Sequence, residues 1–225
     1  MRDNDYLPLQ HNAPATVQDA FNVATTAALY DRIGVAWCAG NIQPEAITGQ
    51  LKNFVEKLYK NRDAILHRRV GVYVWGTNSI GKSYATALAC KALATSGYSC
   101  LWITVNQLID CYLRRDDFKF DGEPLYQRVL GVHFLFVDDI GKETNNQNIA
   151  SLVERILRER LQNTGRYSAT IITSNIPYPT DDNRAMQHRY GEGMTTLIRR
   201  STLSRLVDDQ ETRRDVVQQL ATEIA

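Results

Sequence analysis

Between Val70 and Ser83 the chain reads VGVYVWGTNSIGKS, and no other stretch restricts the possible folds as tightly. An apolar, β-branched and aromatic run (Val70, Val72, Tyr73, Val74, Trp75) leads straight into Gly76-x-x-x-x-Gly81-Lys82-Ser83. This is the order of a buried strand, a phosphate-binding loop and the first turn of a helix. Glycines let such a loop turn its backbone N–H groups inward around an anion without a Cβ clash. The helix N-terminus adds about half a positive charge at the same point. Lys82 is expected to reach the β- and γ-phosphates of a nucleotide, and the Ser83 hydroxyl to hold Mg2+. The expected nucleotide-contacting set is Gly76, Thr77, Asn78, Ser79, Ile80, Gly81, Lys82, Ser83 and Tyr84.

A second signal lies about 55 residues further on, where the apolar run HFLFV (133–137) ends in Asp138-Asp139. Four apolar residues followed by two carboxylates form a Walker B pattern. Asp138 is expected to hold Mg2+ through water, beside the phosphate loop, and Asp139 to polarise an attacking water as general base. A further run, SATIIT (168–173), leads into Ser174 and Asn175. A polar side chain at that strand end faces the γ-phosphate from a neighbouring strand, so Asn175 is expected to orient the water. A plain turn is the alternative, since Asn favours turns and Pro177 follows.

Around these motifs the pattern alternates. Ser83–Ser96 reads as an alanine-rich helix stopped by Gly97, SCLWIT (99–104) as a strand, and Val105 to about Arg114 as a helix. Leu125–Leu130 and Ile149–Leu161 complete the helices between strands. Strand–helix alternation with continuously apolar strands predicts an α/β fold with a central parallel sheet flanked by helices. Before it, helical spacing from Thr16 onward, and again from Pro44 to about Leu66, predicts a small all-α N-terminal segment. The expected domains are a helical segment over 1–65, the nucleotide domain over 66–208 and a helical tail over 209–225. The leader either packs on the nucleotide domain or docks a partner. No fifth strand is legible after Leu206.

Apolar residues make up 44% of the chain and charged residues 23%, with a net charge of +1. That balance fits a soluble protein and demands that any nucleic-acid site be local. No apolar run reaches membrane-spanning length, and the first residues lack the apolar core of a signal peptide. Cys38, Cys90, Cys100 and Cys111 form no C-x-x-C pair. A zinc site and a disulfide framework are not expected, and a cytoplasmic location is.

With GTNSIGKS (76–83), LWITVNQLID (101–110), LFVDDIG (135–141), TSN (173–175) and TLSRLVD (202–208) in view, the chain resembles AAA+ ATPases of the bacterial helicase-loader branch, the DnaC and DnaI type, and their relative IstB, the transposition helper. The resemblance covers about Val70 to Asp208. It implies an AAA+ P-loop NTPase, ATP and Mg2+ as ligands, and self-association into a ring or spiral with nucleotide. It also implies that Arg205, inside S-R-L, is an arginine finger reaching a neighbouring subunit's γ-phosphate, and that Asn175 is the sensor residue. Read without it, Arg205 is a surface arginine on a helix. Three departures stand out. Many relatives carry Asp-Glu where this chain has Asp138-Asp139, so hydrolysis is expected to be slow. Ser201 stands where many loaders carry a second arginine, with Arg199 and Arg200 nearby. No sensor 2 arginine is evident.

A loader of this kind binds single-stranded DNA and a hexameric replicative helicase. Tyr112, Arg114, Arg115 and Lys119, with Phe118 and Phe120, interleave basic and aromatic character where such DNA contacts are expected. The alternative is core aromatics and a solvated charged face. Five arginines against one glutamate over 184–205, beside Gly191 and Gly193, predict a mobile basic loop. Arg155, Arg158 and Arg160, mixed with Glu154 and Glu159, read as a solvated helix face. The leading functional expectation is therefore an ATP-dependent helicase loader. The alternatives are an IstB-like helper on duplex DNA, a P-loop small-molecule kinase with the 184–200 arginines as its lid, and a scaffold that binds ATP without turnover.

Overall fold

The computed structural model describes residues 49–114, 119–120, 123–162 and 167–206, together with Thr16, Val17 and Ile47. The expected tail over 209–225, most of the 1–65 leader and Arg115 lie outside the described residues.

In chain order the elements are α1 (Gly49–Lys60), α2 (Arg62–Arg68), β1 (Gly71–Trp75), α3 (Lys82–Thr95), β2 (Cys100–Thr104) and α4 (Val105–Leu113). There follow β3 (Lys119–Phe120), β4 (Glu123–Pro124), α5 (Leu125–Gly131), β5 (Phe134–Ile140), α6 (Gln147–Leu161), β6 (Ala169–Ser174), α7 (Ala185–Ser201) and β7 (Thr202–Leu206). Five strands form one sheet in the order β2-β5-β6-β1-β7, and every neighbouring pair is parallel. β3 and β4 make a separate antiparallel pair. The fold is the expected α/β P-loop architecture. The chain leaves β1 for the far edge at β2 and returns through β5 and β6, which opens a crevice at the strands' carboxyl ends.

Burial explains why four strands read as unbroken apolar runs. β1, β2, β5 and β6 are covered on both faces, so neither face selects polar residues. One face packs on α1 and α3. There Leu51, Phe54, Val55 and Leu58 meet Ala85, Leu88, Ala89, Ala92 and Leu93, alongside Val72, Val74 and Phe134. Alanines on α3 let the helix axis lie close to the sheet. The other face packs on α4, α5, α6 and α7, through residues such as Leu108, Val129, Val153, Leu157, Met194 and Ile198.

Five expectations are corrected. β7 is a fifth strand, in register with β1 from Gly71 opposite Thr202 to Trp75 opposite Leu206. It sits at a sheet edge with Leu203 59% exposed, so its sequence never develops the apolar run of a central strand. Arg205 thus belongs to a strand backbone, opposite Val74, and not to a helix. The expected helix from Pro44 to Leu66 is two helices meeting at Asn61. The expected basic loop around Arg184 and Gly191 is helix α7, kinked at Gly191, where φ is 86° and ψ 178°. Finally, Arg160 is no solvated-face residue. It is 1% exposed and donates to the carbonyls of Leu130, Val132, His133 and Ala169, tying the end of α6 to the starts of β5 and β6.

Candidate nucleotide site

The loop from Gly76 to Gly81 joins β1 to α3 through backbone that ordinary residues avoid. Ser79 has φ 66° and Gly81, at the N-cap of α3, has φ 95°. A Cβ on Gly81 would also lie 3.0 Å from Leu51 Cδ1, so α1 packs close over the loop, and the positive φ itself favours glycine there. Ile80 is buried with Leu51 in the same core. Tyr84 is half-buried against that core, one turn into α3.

Lys82 is 5% exposed. Its ammonium donates to the carbonyls of Gly76 (3.1 Å) and Thr77 (2.7 Å) and to Asn175 Oδ1 (2.8 Å). The phosphate-loop lysine and the end of β6 are therefore brought into direct contact, as the two motifs require. Burial pushes the Lys82 amine down to about 8, while Asp139 and, less strongly, Asp138 pull it back up and Lys142 adds to the fall. Loss of solvent is the dominant cause.

The carboxylate pair has a geometry that strand alternation alone does not give. Consecutive residues on a strand point to opposite faces. Here the β5–β6 register runs from Val137 opposite Ile172 to Ile140 opposite Ser174, so Asp138 and Asp139 together face the single residue Thr173. This is a β-bulge, rare in parallel pairs, and its extra residue is Asp139, at φ 63°. Aspartate tolerates that left-handed conformation better than most residues do. Thr173 serves both carboxylate residues: its hydroxyl accepts from Asp139 N–H (2.9 Å) and donates to Asp138 Oδ1. Through the bulge, both carboxylates come near Lys82 and act on its charge.

Their surroundings differ. Asp138 is 3% exposed, and burial raises its pKa, with hydrogen bonds from Thr173 and Ser83 opposing the rise. Asp139 is more open and pairs with Lys142 at 2.8 Å. Ser83 and Asp138 form a set of hard oxygen donors suited to Mg2+. Downstream, Ser174 Oγ donates to Ile140 O (2.6 Å) and accepts from Ile176 N–H, which fixes the chain on either side of Asn175. The Tyr73 hydroxyl donates to Ile176 O from below.

Other expected site residues lie apart from this cluster. Tyr112 is half-buried on α4, edge-on to Tyr126, with the Arg155 guanidinium over its ring. Arg114 is exposed just after α4, and Lys119 lies on the backbone of β3. Arg205 stands on β7 beside the phosphate-loop strand. Thr173 and Lys142 were not singled out from the sequence. A hydroxyl two residues before Asn175, on the strand facing the Asp-Asp pair, was the one signal available for Thr173. Lys142 offered none beyond its proximity to Asp139.

A family model of IstB-like ATP binding proteins matches residues 59–198. No curated protein sequence gives a significant match. A crystal structure of the DnaC helicase loader is similar over 75% of this chain and 97% of that one, at 19% identity and a TM-score of 0.57. A crystal structure of DnaI is similar over 72% of this chain and 87% of that one, at 17% identity and a TM-score of 0.54. The replication initiator DnaA bound to AMPPCP and single-stranded DNA is similar over 82% of this chain and 56% of that one, at 13% identity and a TM-score of 0.54. At these identities the likeness is one of fold.

Proposed function

The chain belongs to the IstB-like ATP-binding protein family, and from that premise we propose that it is an AAA+ ATPase that loads a replicative helicase onto single-stranded DNA. The observation that carries the ATPase is the contact of Lys82 with Asn175 at the crevice where the bulge also brings Asp138 and Asp139. The loader reading is supported by a fold that spans nearly the whole DnaC chain.

ATP enters with its phosphates over the loop. Lys82 exchanges the carbonyls of Gly76 and Thr77 for phosphate oxygens, a small movement since its amine already lies at the loop. Gly76 to Tyr84 supply the surrounding contacts. Mg2+, when bound, is held by Ser83 and Asp138 and neutralises phosphate charge. Asn175 orients the attacking water and Asp139 receives its proton. Asp139 reaches less far than a glutamate and is paired with Lys142, so turnover is slow until a partner or DNA shifts that pair. Arg205 reaches the site of an adjacent copy in a ring or spiral. ATP binding then favours assembly on the helicase, and hydrolysis favours release. Residues 1–65 dock the helicase, 66–208 form the ATPase and 209–225 form a helical tail. Tyr112, Arg114, Arg115 and Lys119 contact the single strand.

A second reading is favoured by the family itself: a helper that assembles on duplex DNA and recruits a transposase. Two of the four arginines that the kinase reading needs for its lid are engaged elsewhere. Arg189 is turned inward onto Glu143, and Arg199 is held by Pro179 O and Asp181.

Binding of fluorescent single-stranded and duplex DNA, with and without AMPPCP, tests the proposal. Nucleotide-dependent preference for the single strand is expected. Preference for duplex overturns the loader in favour of the transposition helper.

A further inference from the structure

Resting on the ATPase reading above, the geometry points to Glu143 as a positioning residue that couples the Asp138–Asp139 turn to helix α7 and the arginines that follow it. The Glu143 side chain is 2% exposed, and its two oxygens serve different parts of the molecule. Oε2 accepts from Gly141 N–H at 2.9 Å. Oε1 accepts from Arg189 Nη2 at 3.1 Å and from the Tyr190 hydroxyl. Arg189 also donates to the Glu143 carbonyl. One buried carboxylate thus bridges a turn and a helix that are 46 residues apart in sequence.

The turn is stiff. Asp139 and Gly141 both have left-handed φ values, 63° and 104°, and Lys142 N–H closes back on Asp139 O at 3.1 Å. A Cβ on Gly141 would lie 2.9 Å from Ile176 Cδ1, so the turn is also packed against the segment after Asn175. Moving the Gly141 amide therefore moves Asp139. On the helix side, Arg189 and Tyr190 end the first part of α7, and the kink at Gly191 follows at once. The second part buries Met194, Leu197 and Ile198, then delivers Arg199, Arg200 and, on β7, Arg205. Burial and Glu143 raise the Tyr190 pKa, so its phenol stays a donor. A buried ion pair stabilises a fold weakly against an apolar substitute, so the role assigned to Glu143 is to hold one arrangement of the turn and the helix. Engagement of α7 and β7 by a neighbouring copy is thereby transmitted to the carboxylate that activates water.

Hydrogen–deuterium exchange of the full chain, with and without AMPPCP and Mg2+, tests this in the native protein, Glu143→Gln and Tyr190→Phe. In the native protein AMPPCP slows exchange over 76–84, 139–143 and 185–201. In Glu143→Gln the slowing survives at 76–84 and disappears at 185–201. Turnover in that variant falls roughly tenfold in kcat with KM within about threefold. Tyr190→Phe, which removes one donor and keeps the fold, weakens the α7 response in the same direction. The coupling is overturned if α7 responds equally in native and variant proteins, or if the native protein responds at 76–84 and not at α7. No response anywhere in the native protein overturns the ATPase reading with it. If Glu143→Gln does not fold, Tyr190→Phe decides alone.

Discussion

Lys82 and Asp138 are each buried at a cost to the folded protein, and both costs are measurable. The Lys82 amine titrates near 8, below its unfolded value of about 10.5. Holding it protonated therefore costs stability in full below about pH 8, and the cost is relieved as pH rises from about 8 to 10.5. Phosphate restores the ammonium, so nucleotide binding takes up a proton above pH 8. ATP affinity is expected to be flat from pH 6.5 to 7.5 and to fall by up to about tenfold per pH unit above 8. Calorimetric titrations in buffers of different ionisation enthalpy would detect the proton directly; an affinity unchanged to pH 9.5 rules the mechanism out. Asp138 has its pKa raised by burial, so the charge proposed to hold Mg2+ is a burden without it. Asp138→Asn keeps the acceptor for Thr173 and removes that charge. It is expected to raise the melting temperature of the nucleotide-free protein by roughly 2–4 °C while abolishing the further rise that ATP and Mg2+ give the native protein. A lower melting temperature without nucleotide would mean that the carboxylate is not a burden.

Two glycines separate what space does in an element from what backbone conformation does. Gly71 opens β1 between β6 and β7, and a Cβ there would sit 2.7 Å from the Thr170 carbonyl oxygen. Backbone of a central strand cannot yield without parting the sheet. Gly191 is the opposite case: a Cβ meets nothing within 4 Å, yet φ is 86°. Gly191→Ala is expected to cost about 1–3 kcal/mol through backbone strain alone, and Gly71→Ala more, with loss of β7 pairing. Denaturant unfolding ranks them, and a reversed order refutes the assignment. The same contrast decides what could be read from sequence. β1, β2, β5 and β6 announce themselves because they are buried on both faces. β7 does not, because Leu203 and Ser204 face outward, and Ser204 Oγ is held by Trp75 Nε1 at 3.0 Å. The phosphate loop and the Asp-Asp pair are local patterns and were legible. The bulge that makes both aspartates usable, the service of Thr173 to both, and the Glu143 bridge arise from register and tertiary contact. Arg160 was misread for the same reason, since a helix's charge pattern does not tell which arginine turns inward.

At the scale of the whole molecule, the sheet order puts the phosphate-loop strand directly beside the edge strand, and Arg205 lies on that edge strand one residue short of the end of β1. Arg199 and Arg200 end α7, and Arg205 stands opposite Val74 on β7. An edge strand that pairs with the phosphate-loop strand and carries an arginine suits head-to-tail association, in which one copy's edge completes the next copy's crevice. Arg205→Ala is then expected to bind ATP as the native protein does and to lose turnover, and Lys82→Ala to lose ATP binding. Neither variant hydrolyses ATP alone. Mixed in equal amounts they recover activity, because an intact loop in an Arg205→Ala copy meets an intact arginine from a Lys82→Ala copy at about a quarter of the junctions. A steady-state assay against mixing ratio gives a maximum near equal amounts if the arginine acts across copies. Additive, inactive mixtures place the arginine in its own site. Full turnover by Arg205→Ala alone passes the role to Arg199 or Arg200, whose alanine variants then take its place in the same mixture.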